Sequence, residues 1–192
     1  MKDFVGLAGR KYHGKDTAAG RFVRCGYTQL RFADPLKEML RAFYRTAGLA
    51  PAEIERRIEG ELKEVPCPYL RGRTPRYAMQ TLGAEWGRAL IADDLWVSFL
   101  VSRAENFDKV IVSDVRYANE CGVIKDAGGR VFRIDAGTRV PPNEHSDHSS
   151  EREVDALPVD GTIDNSGSPT ALDYRIRLLV EEHQVRTQDA VK

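Results

Sequence analysis

The sequence predicts an α/β protein in which helices cover both faces of a central five-stranded parallel sheet. Five short apolar segments alternate with helical patterns along the chain, which is typical of doubly wound α/β domains. Val110, Ile111 and Val112 form an apolar run without polar alternation, as expected of a parallel strand covered on both faces. The 192 residues, 42% of them hydrophobic, can form one globular domain over residues 1–192.

The first predicted elements surround a loop bounded by glycines. Residues 4–8 are apolar and predict the first strand, while residues 15–25 fit a helix. The loop between them, residues 9–14, begins and ends with glycine. A second short strand is predicted over residues 29–33.

The middle of the chain is predicted to be mainly helical. Pro35 suits the first turn of a helix, and Gly48 suits its end. Dense charge followed by several prolines predicts one amphipathic helix and then an irregular loop within residues 51–75. The predicted helices are 35–47, one within 51–75, 76–91 and 93–106, and residues 51–106 form a helical region on the substrate side. The side chains expected on buried helix faces are Leu36, Met39, Leu40, Phe43, Met79, Leu82, Trp86 and Leu90.

The last part of the chain returns to alternating strands and helices. The apolar strand that ends at Ser113 and Asp114 precedes a helix that should stop at Gly128. The further predicted elements are helix 117–127, strand 130–135, strand 161–164 and helix 171–182. A polar segment separates the last two strands; we expect most of it to be mobile, and in it Ser150 and Glu153 have capping-box spacing.

Composition excludes several classes of function. Lys and Arg together number 29, as do Asp and Glu, so the net charge is zero and an extended nucleic-acid surface is not expected. The three widely spaced cysteines indicate neither a disulfide framework nor a zinc site. No apolar run reaches the ~18 residues of a membrane span, and the apolar start is too short for a signal peptide. We therefore expect a cytoplasmic protein that binds no membrane.

The sharpest motif is the loop itself, which matches the G-x-x-x-x-G-K phosphate-binding pattern at Gly9, Gly14 and Lys15. Glycines let backbone N–H groups converge on a phosphate, the following helix presents its positive end, and the lysine adds a point charge. Because the match follows the first strand and opens a helix, we expect a nucleoside triphosphate site. Asp16 replaces the usual hydroxyl residue; it faces the water shell of a metal or bonds within the loop, while Thr17 supplies the hydroxyl.

Further candidate residues follow the other predicted strands. Asp114 ends a buried strand and could orient water on magnesium, and Arg116 has a fork suited to an acceptor phosphate, although the two could simply pair. Ligands of α/β sheets gather at the carboxyl ends of the strands, which favours a functional role. Lys37 begins a helix after the second strand and faces the same crevice, unless it is a solvated surface lysine. The absence of an N-K-x-D sequence disfavours a GTPase.

These residues together resemble the deoxynucleoside monophosphate kinases of tailed bacteriophages, within the P-loop nucleoside monophosphate kinases. The matching segments are GRKYHGKDT (9–17), FADPLK (32–37), RYAMQTLGAEW (76–86), DDLWV (93–97), VIVSDVRYANE (110–120) and TIDNSG (162–167). Their order along nearly the whole chain is far more specific than the first motif alone. The chain is short for the family, which suggests that insertions on the substrate side are trimmed. The resemblance therefore leaves open which bases the protein accepts.

The resemblance implies a P-loop fold, a place for each substrate and a requirement for Mg²⁺. The residues implied to bind ATP are Tyr12, Gly14, Lys15, Asp16 and Thr17, with Asp16 and Thr17 nearest the metal. The residues implied to bind the acceptor monophosphate are Lys11, Leu36, Lys37, Arg76, Gly83, Trp96, Asp114, Arg116 and Glu120. Trp96 and Met79 could border the acceptor base, although the helical spacing of Met79 and Trp86 also fits the core, and we place Trp86 in the core. The resemblance leaves a homodimer open and, for a phage-encoded chain, places it in the host cytoplasm.

The polar loop over residues 137–150 occupies the place of a lid. Arg139 is the arginine of this loop, and we expect it to act on the transferring phosphate together with Lys15 and Arg116. His145 and His148 lack a third metal ligand, so a zinc site is not expected. Asn165 follows the last strand, where it borders adenine or caps the next helix.

The sequence therefore predicts an enzyme that transfers the γ-phosphate of ATP to a deoxynucleoside monophosphate. One alternative is another small-molecule P-loop kinase, of the phosphomevalonate or dephospho-coenzyme A type. A second alternative is a nucleotide-binding module without turnover, which the arginines beside the loop disfavour.

Overall fold

The structure is a computed structural model that describes residues 3–139 and 154–189. The chain divides into two compact units, one formed by Met1–Arg31 and Leu100–Lys192, here the sheet unit, and the other by Phe32–Phe99, here the helical unit. Residues 51–99 of the predicted substrate-side region belong to the helical unit. The organisation as one domain with a lid stays a prediction.

The sheet unit contains five parallel strands in the order β2-β3-β1-β4-β5, which confirms the predicted α/β class. The strands are β1 (Asp3–Ala8), β2 (Thr28–Leu30), β3 (Lys109–Val115), β4 (Arg130–Asp135) and β5 (Gly161–Asp164). Strand β1 lies at the centre and is buried along its whole length. Strand β2 is shorter than the predicted 29–33, because the chain turns at Phe32 and Ala33 before the next helix begins.

Helices cover both faces of this sheet. They are α1 (Lys15–Arg24), α6 (Ala118–Asp126) and α7 (Pro169–Asp189). Val5 and Leu7 pack with Phe22 of α1 and Ile176 of α7 in one apolar cluster. A Cβ atom on Gly6 would instead lie 2.8 Å from Ile124 of α6, and because side chains alternate along a strand, α6 covers the opposite face.

The helical unit is built around the side chain of Tyr44, which is fully buried. Its elements are α2 (Asp34–Thr46), α3 (Pro51–Ile58), short 3₁₀ turns at Glu61–Glu64 and Pro68–Leu70, α4 (Pro75–Thr81), and a π-helical segment over Leu82–Ile91. The helix α5 (Leu95–Ala104) contains the boundary between the units. Leu40, Ile54, Ile58 and Met79 pack around Tyr44 and form the core of this unit.

The predicted buried face of α2 is only half right. Leu36 and Leu40 are buried as expected, but Met39 and Phe43 are exposed, and Tyr44 takes their place in the core. On a helix, the residues three and four positions after Leu36 both lie beside it. Here the residues spaced by four, Leu36, Leu40 and Tyr44, face the core.

The buried stripe predicted over Met79, Leu82, Trp86 and Leu90 is wrong beyond Met79. Leu82 is half-buried, whereas Trp86 is 39% and Leu90 75% exposed, so Trp86 does not lie in the core. The chain changes after Thr81 from α-helix to π-helical turns, in which the amide of Ala92 bonds to the carbonyl five residues earlier. Side chains spaced for an α-helix therefore no longer share one face.

Among the described residues, no helix is long and apolar enough to cross a membrane, and no group of three or more His, Cys, Asp or Glu side chains could hold a metal ion.

Candidate active site

The loop between β1 and α1 has the conformation that its glycines predict. Gly9, Tyr12 and Gly14 have positive φ angles of 144°, 68° and 92°. A Cβ atom at Gly9 would lie 2.7 Å from the carbonyl oxygen of Ile134, and one at Gly14 would lie 2.3 Å from the side-chain nitrogen of Asn165. Both glycines are therefore required by backbone conformation and by close neighbours.

Lys15 begins α1 and bends back over the loop. Its Nζ atom donates hydrogen bonds of 2.7 Å to the carbonyl oxygens of Gly9 and Arg10. The ammonium group is thus held above the loop at the positive end of the helix, where an anion is favoured.

The other predicted loop residues differ in exposure. Tyr12 projects an exposed ring, and the Nζ atom of Lys11 lies 4.8 Å from its centre. The Asp16 side chain is 83% exposed and lies 3.4 Å from Arg31, and Thr17 is exposed beside it. Both offer hard oxygen atoms to solvent in the first turn of α1. These donors fit Mg²⁺, which keeps several waters and takes one or two protein oxygens.

The end of β3 carries Asp114, Arg116 and Glu120 in three different environments. Asp114 is half-buried in the strand, and Arg116 is exposed just beyond it. Glu120 is only 2% exposed, and its Oε2 atom accepts the backbone N–H groups of Arg116 and Tyr117 at 2.7 and 3.2 Å. Glu120 therefore caps α6 and fixes the backbone that carries Arg116.

Arg139 lies in a short turn after β4, Gly137–Arg139, where its side chain is exposed and its Nη1 atom lies 3.5 Å from the carbonyl oxygen of Gly167. The rest of the predicted lid, residues 140–150 with His145 and His148, lies outside the described residues, as do the capping-box residues, Ser150 and Glu153.

Asn165 is buried and contacts the loop. Its side-chain amide donates a 2.8 Å hydrogen bond to the carbonyl oxygen of His13. The hydroxyl of Ser168 accepts the amide of Ala171 at 3.2 Å and so caps α7. The interpretation of Asn165 as a helix cap is therefore wrong.

In the helical unit, Lys37 is not a solvated lysine. It lies in the first turn of α2, is 7% exposed, and donates a 2.6 Å hydrogen bond to Glu59. Arg76, near the start of α4, is paired in a short contact with Glu64. Both predicted acceptor-site cations are therefore held by glutamates that lie in the irregular stretch after α3.

Lys63 is a third cation of this group, and the sequence did not single it out. Burial, together with the positive charges of Lys37 and Arg76, lowers the pKa of Lys63 to about 8. In the sequence, Lys63 stands in a run of charged residues that is typical of a solvated helix surface. No local pattern could have identified it. The set Lys37, Lys63 and Arg76 is called the cation cluster below.

Three other predicted acceptor residues lie together in the helical unit. Trp96 is 6% exposed, and its indole N–H donates a 2.9 Å hydrogen bond to the carbonyl oxygen of Gly83. A Cβ atom at Gly83 would lie 3.2 Å from Leu36. The ring of the exposed Trp86 lies 6.1 Å from that of Trp96. Trp86 therefore lies beside Trp96, a position that the helical spacing of the sequence did not predict.

Two solved structures share the fold of this chain. TT1252 from Thermus thermophilus aligns over 94% of this chain and 97% of its own length, with a TM-score of 0.52 and 15% identity. Shikimate kinase from Aquifex aeolicus aligns over 92% of this chain and 95% of its own length, with a TM-score of 0.51 and 12% identity. At these identities the likeness shows the fold alone. No family model matches the chain.

A parallel sheet whose first strand leads through this loop into a helix defines a P-loop protein, and its viral relative shows that it is a small-molecule kinase, a phosphotransferase. A protein of Acanthamoeba polyphaga mimivirus, provisionally named a deoxynucleotide monophosphate kinase, is 30% identical in an alignment 168 residues long that covers 79% of this chain and 80% of the viral one. This chain belongs to the same family, the deoxynucleotide monophosphate kinases. The relative is viral, and the expected bacteriophage source stays a prediction.

Proposed function

We propose that the protein transfers the γ-phosphate of ATP to a deoxynucleoside monophosphate, giving ADP and a deoxynucleoside diphosphate. The name of the mimivirus relative supports this acceptor class. The observation that supports it most within the chain is the cation cluster: Lys37 is buried against Glu59, Arg76 is paired with Glu64, and both are near enough for their charges to lower the pKa of Lys63, which suits an acceptor that already carries a phosphate.

The donor is bound by the sheet unit. Backbone N–H groups of the loop and of the first turn of α1 bind the β- and γ-phosphates, and Lys15 adds its charge. Lys15 leaves its carbonyl partners or divides its N–H donors between them and the phosphate. Asp16 and Thr17 would hold Mg²⁺, which supplies charge neutralisation for the triphosphate when it is bound.

The acceptor phosphate is bound by Lys37, Lys63 and Arg76. Both Lys37 and Arg76 have a glutamate partner in the absence of substrate, whereas burial makes the charge of Lys63 unfavourable. A phosphate dianion stabilises that charge directly. Trp96, Gly83 and Leu36 form an apolar group that suits contact with the acceptor base.

The transfer itself requires positioning and positive charge more than a strong base, because its transition state is loose. We assign this role to Lys15, Arg116 and Arg139, with Lys11 nearby on the loop. Glu120 acts on Arg116 through the backbone. Asp114 lies near the carboxyl end of β3, which supports a role in orienting water around Mg²⁺ when the ion is bound.

A coupled assay of ADP release, run with deoxy and ribo monophosphates of each base, tests the proposal. We expect turnover with at least one deoxynucleoside monophosphate and weaker or no turnover with its ribo counterpart. Turnover only with phosphomevalonate or dephospho-coenzyme A would favour another P-loop kinase. ATP binding without ADP release for any acceptor would identify a nucleotide-binding module and overturn the proposal.

A further inference from the structure

The ends of β4 and β5 are hydrogen-bonded to the phosphate-binding loop through two side chains. Asn165 follows β5 and bonds to the backbone of His13, while His13 bonds through its ring to the backbone of Ala136, just after β4. The backbone amide of Asn165 also donates a 2.6 Å hydrogen bond to the carbonyl oxygen of Asp135. The loop, which follows β1, is therefore also hydrogen-bonded to the residues that follow β4 and β5.

The bond from Asn165 determines the direction of a neighbouring N–H group. Its side-chain nitrogen lies 2.8 Å from the carbonyl oxygen of His13, and Asn165 is 4% exposed. The peptide bond between His13 and Gly14 is trans, so its N–H points away from its C=O. Holding the carbonyl towards Asn165 therefore directs the N–H of Gly14 to the other side of the loop backbone.

His13 adds a second attachment. Its Nδ1 atom accepts the backbone N–H of Ala136 at 3.2 Å, a bond that uses the lone pair of this nitrogen. Asp135 lies 3.5 Å from the same Nδ1 atom and accepts the N–H of Gly137 at 2.9 Å. The ring is largely buried and is fixed by backbone that leads into the turn carrying Arg139.

We infer that Asn165 and His13 are positioning residues that hold the loop backbone in its phosphate-binding conformation. This inference rests on the proposed function only in that the loop binds the phosphates of ATP. It assigns Asn165 to the triphosphate through the His13–Gly14 peptide and not to the adenine base. The same role accounts for the glycine at position 14, where a Cβ atom would collide with the amide of Asn165.

Titration calorimetry with Mg²⁺ and either ATP or inorganic tripolyphosphate separates the two roles of Asn165. Asn165→Asp replaces the donor by an acceptor at the same place, and we expect about tenfold weaker binding of both ligands, the effect of one lost buried hydrogen bond. Asn165→Ala should weaken both by a smaller factor. Weaker binding of ATP with unchanged binding of tripolyphosphate would show an adenine contact and overturn the inference.

The matched control is Asn106→Asp, because the side chain of Asn106 also donates to a carbonyl oxygen, that of Arg103 at 3.3 Å, but is exposed. Binding of both ligands should be unchanged in this variant. Thermal unfolding of each variant checks that the fold is retained. If Asn165→Asp does not fold, the binding of ATP is compared with the binding of tripolyphosphate in Asn165→Ala, and the same outcomes support or overturn the inference.

His13 provides an independent test. In His13→Asn the side-chain oxygen can take the place of Nδ1, whereas in His13→Gln the oxygen lies nearer the place of Nε2. We expect His13→Asn to retain tripolyphosphate binding within about twofold and His13→Gln to weaken it by about fivefold, as for a partly lost hydrogen bond. Equal binding by both variants would contradict the assigned role. Failure of every monophosphate in the ADP-release assay would defeat the proposed function and leave these binding results unaffected.

Discussion

The two phosphate-directed regions of this protein are built by different means. The loop of the sheet unit relies on backbone: positive φ angles, glycines without room for a side chain, and a lysine held by carbonyl oxygens. The cation cluster of the helical unit relies on side chains that are paired with glutamates. Backbone geometry tolerates little change, whereas a balance of charges can be altered in steps. We therefore expect abrupt losses from changes in the loop and graded ones from the cluster.

Charged residues around the cation cluster form further ion pairs that balance its charge in the absence of substrate. Arg41 pairs with Glu55 and Glu38, and these hydrogen bonds raise its pKa while Arg41 lowers that of Glu55. Glu59 lies within ion-pair distance of both Arg41 and Lys37. In the proposed acceptor site an incoming phosphate would compete with carboxylates for these cations, so selectivity for a dianion would depend on the whole network.

The largest effect is expected for Lys15→Met, which removes a side-chain charge that the carbonyl oxygens of the loop hold in place. We expect kcat to fall by about 10²–10³, the usual loss for a group that stabilises developing charge. Steady-state ADP release measures it. Lys125→Met is the control, because Lys125 is ion-paired with Asp160 outside the candidate site. Wild-type activity in Lys15→Met would show that the loop has been assigned wrongly.

The next largest effect is expected for Gly14→Ala, which adds a Cβ atom 2.3 Å from the side-chain nitrogen of Asn165 at a φ angle of +92°. Strain at such a position costs about 1–3 kcal/mol, so we expect ATP affinity to fall by about tenfold or more and the unfolding temperature to drop. Fluorescence-detected ATP binding and thermal unfolding measure the two effects.

Gly20→Ala is the matched control for that change. Gly20 lies within α1, and a Cβ atom there would meet nothing within 4 Å. Alanine favours a helix over glycine by about 1 kcal/mol, so this variant should bind ATP normally and be slightly more stable. Equal behaviour of Gly14→Ala and Gly20→Ala would refute the requirement for glycine in the loop.

A graded effect is expected for Lys37→Met, which removes a buried cation and leaves Glu59 without its 2.6 Å partner. The KM for the deoxynucleoside monophosphate should rise by about tenfold, the loss of one charge-assisted hydrogen bond, while the KM for ATP should change little. Initial rates with each substrate varied in turn measure this difference. A rise confined to the KM for ATP would remove Lys37 from the acceptor site.

The sequence predicted those parts of the molecule that depend on local pattern. The strand over residues 130–135 and the loop glycines follow from neighbouring residues, because strand propensity and positive φ angles act over a few positions. The exposure of Trp86 did not follow, since it depends on a π-helical segment that hydrophobic spacing does not reveal.

The candidate site divides in the same way. Lys15 and Gly14 belong to a contiguous motif, so the sequence identified them directly. The burial of Lys37 and the charge of Lys63 depend on Glu59, Arg76 and an irregular stretch whose path the sequence does not specify. Asn165 was recognised as a candidate, but its contact with His13 joins residues 152 positions apart. Such contacts require the assembled sheet.

The smallest effect is expected for Lys63→Met, and it should depend on pH. The pKa of Lys63 is lowered to about 8 from 10.5, so between these values the unfolded chain binds a proton that the native protein has lost. This group therefore lowers the stability of the wild type below pH 8, and the penalty disappears as the pH rises towards 10.5. Lys63→Met should be more stable than the wild type by about 1 kcal/mol at pH 7, and the difference should shrink by pH 10.

Denaturant unfolding at the two pH values measures this difference, and titration with a deoxynucleoside monophosphate at pH 7 measures its functional counterpart. In the proposed acceptor site a phosphate dianion makes the half-buried charge of Lys63 favourable, so the same variant should bind the acceptor more weakly while folding more stably. If Lys63 had only a structural role, its replacement would change the stability without weakening the binding of the acceptor. If stability rises at pH 7 and acceptor affinity stays unchanged, Lys63 does not belong to the acceptor site and the cluster reduces to Lys37 and Arg76.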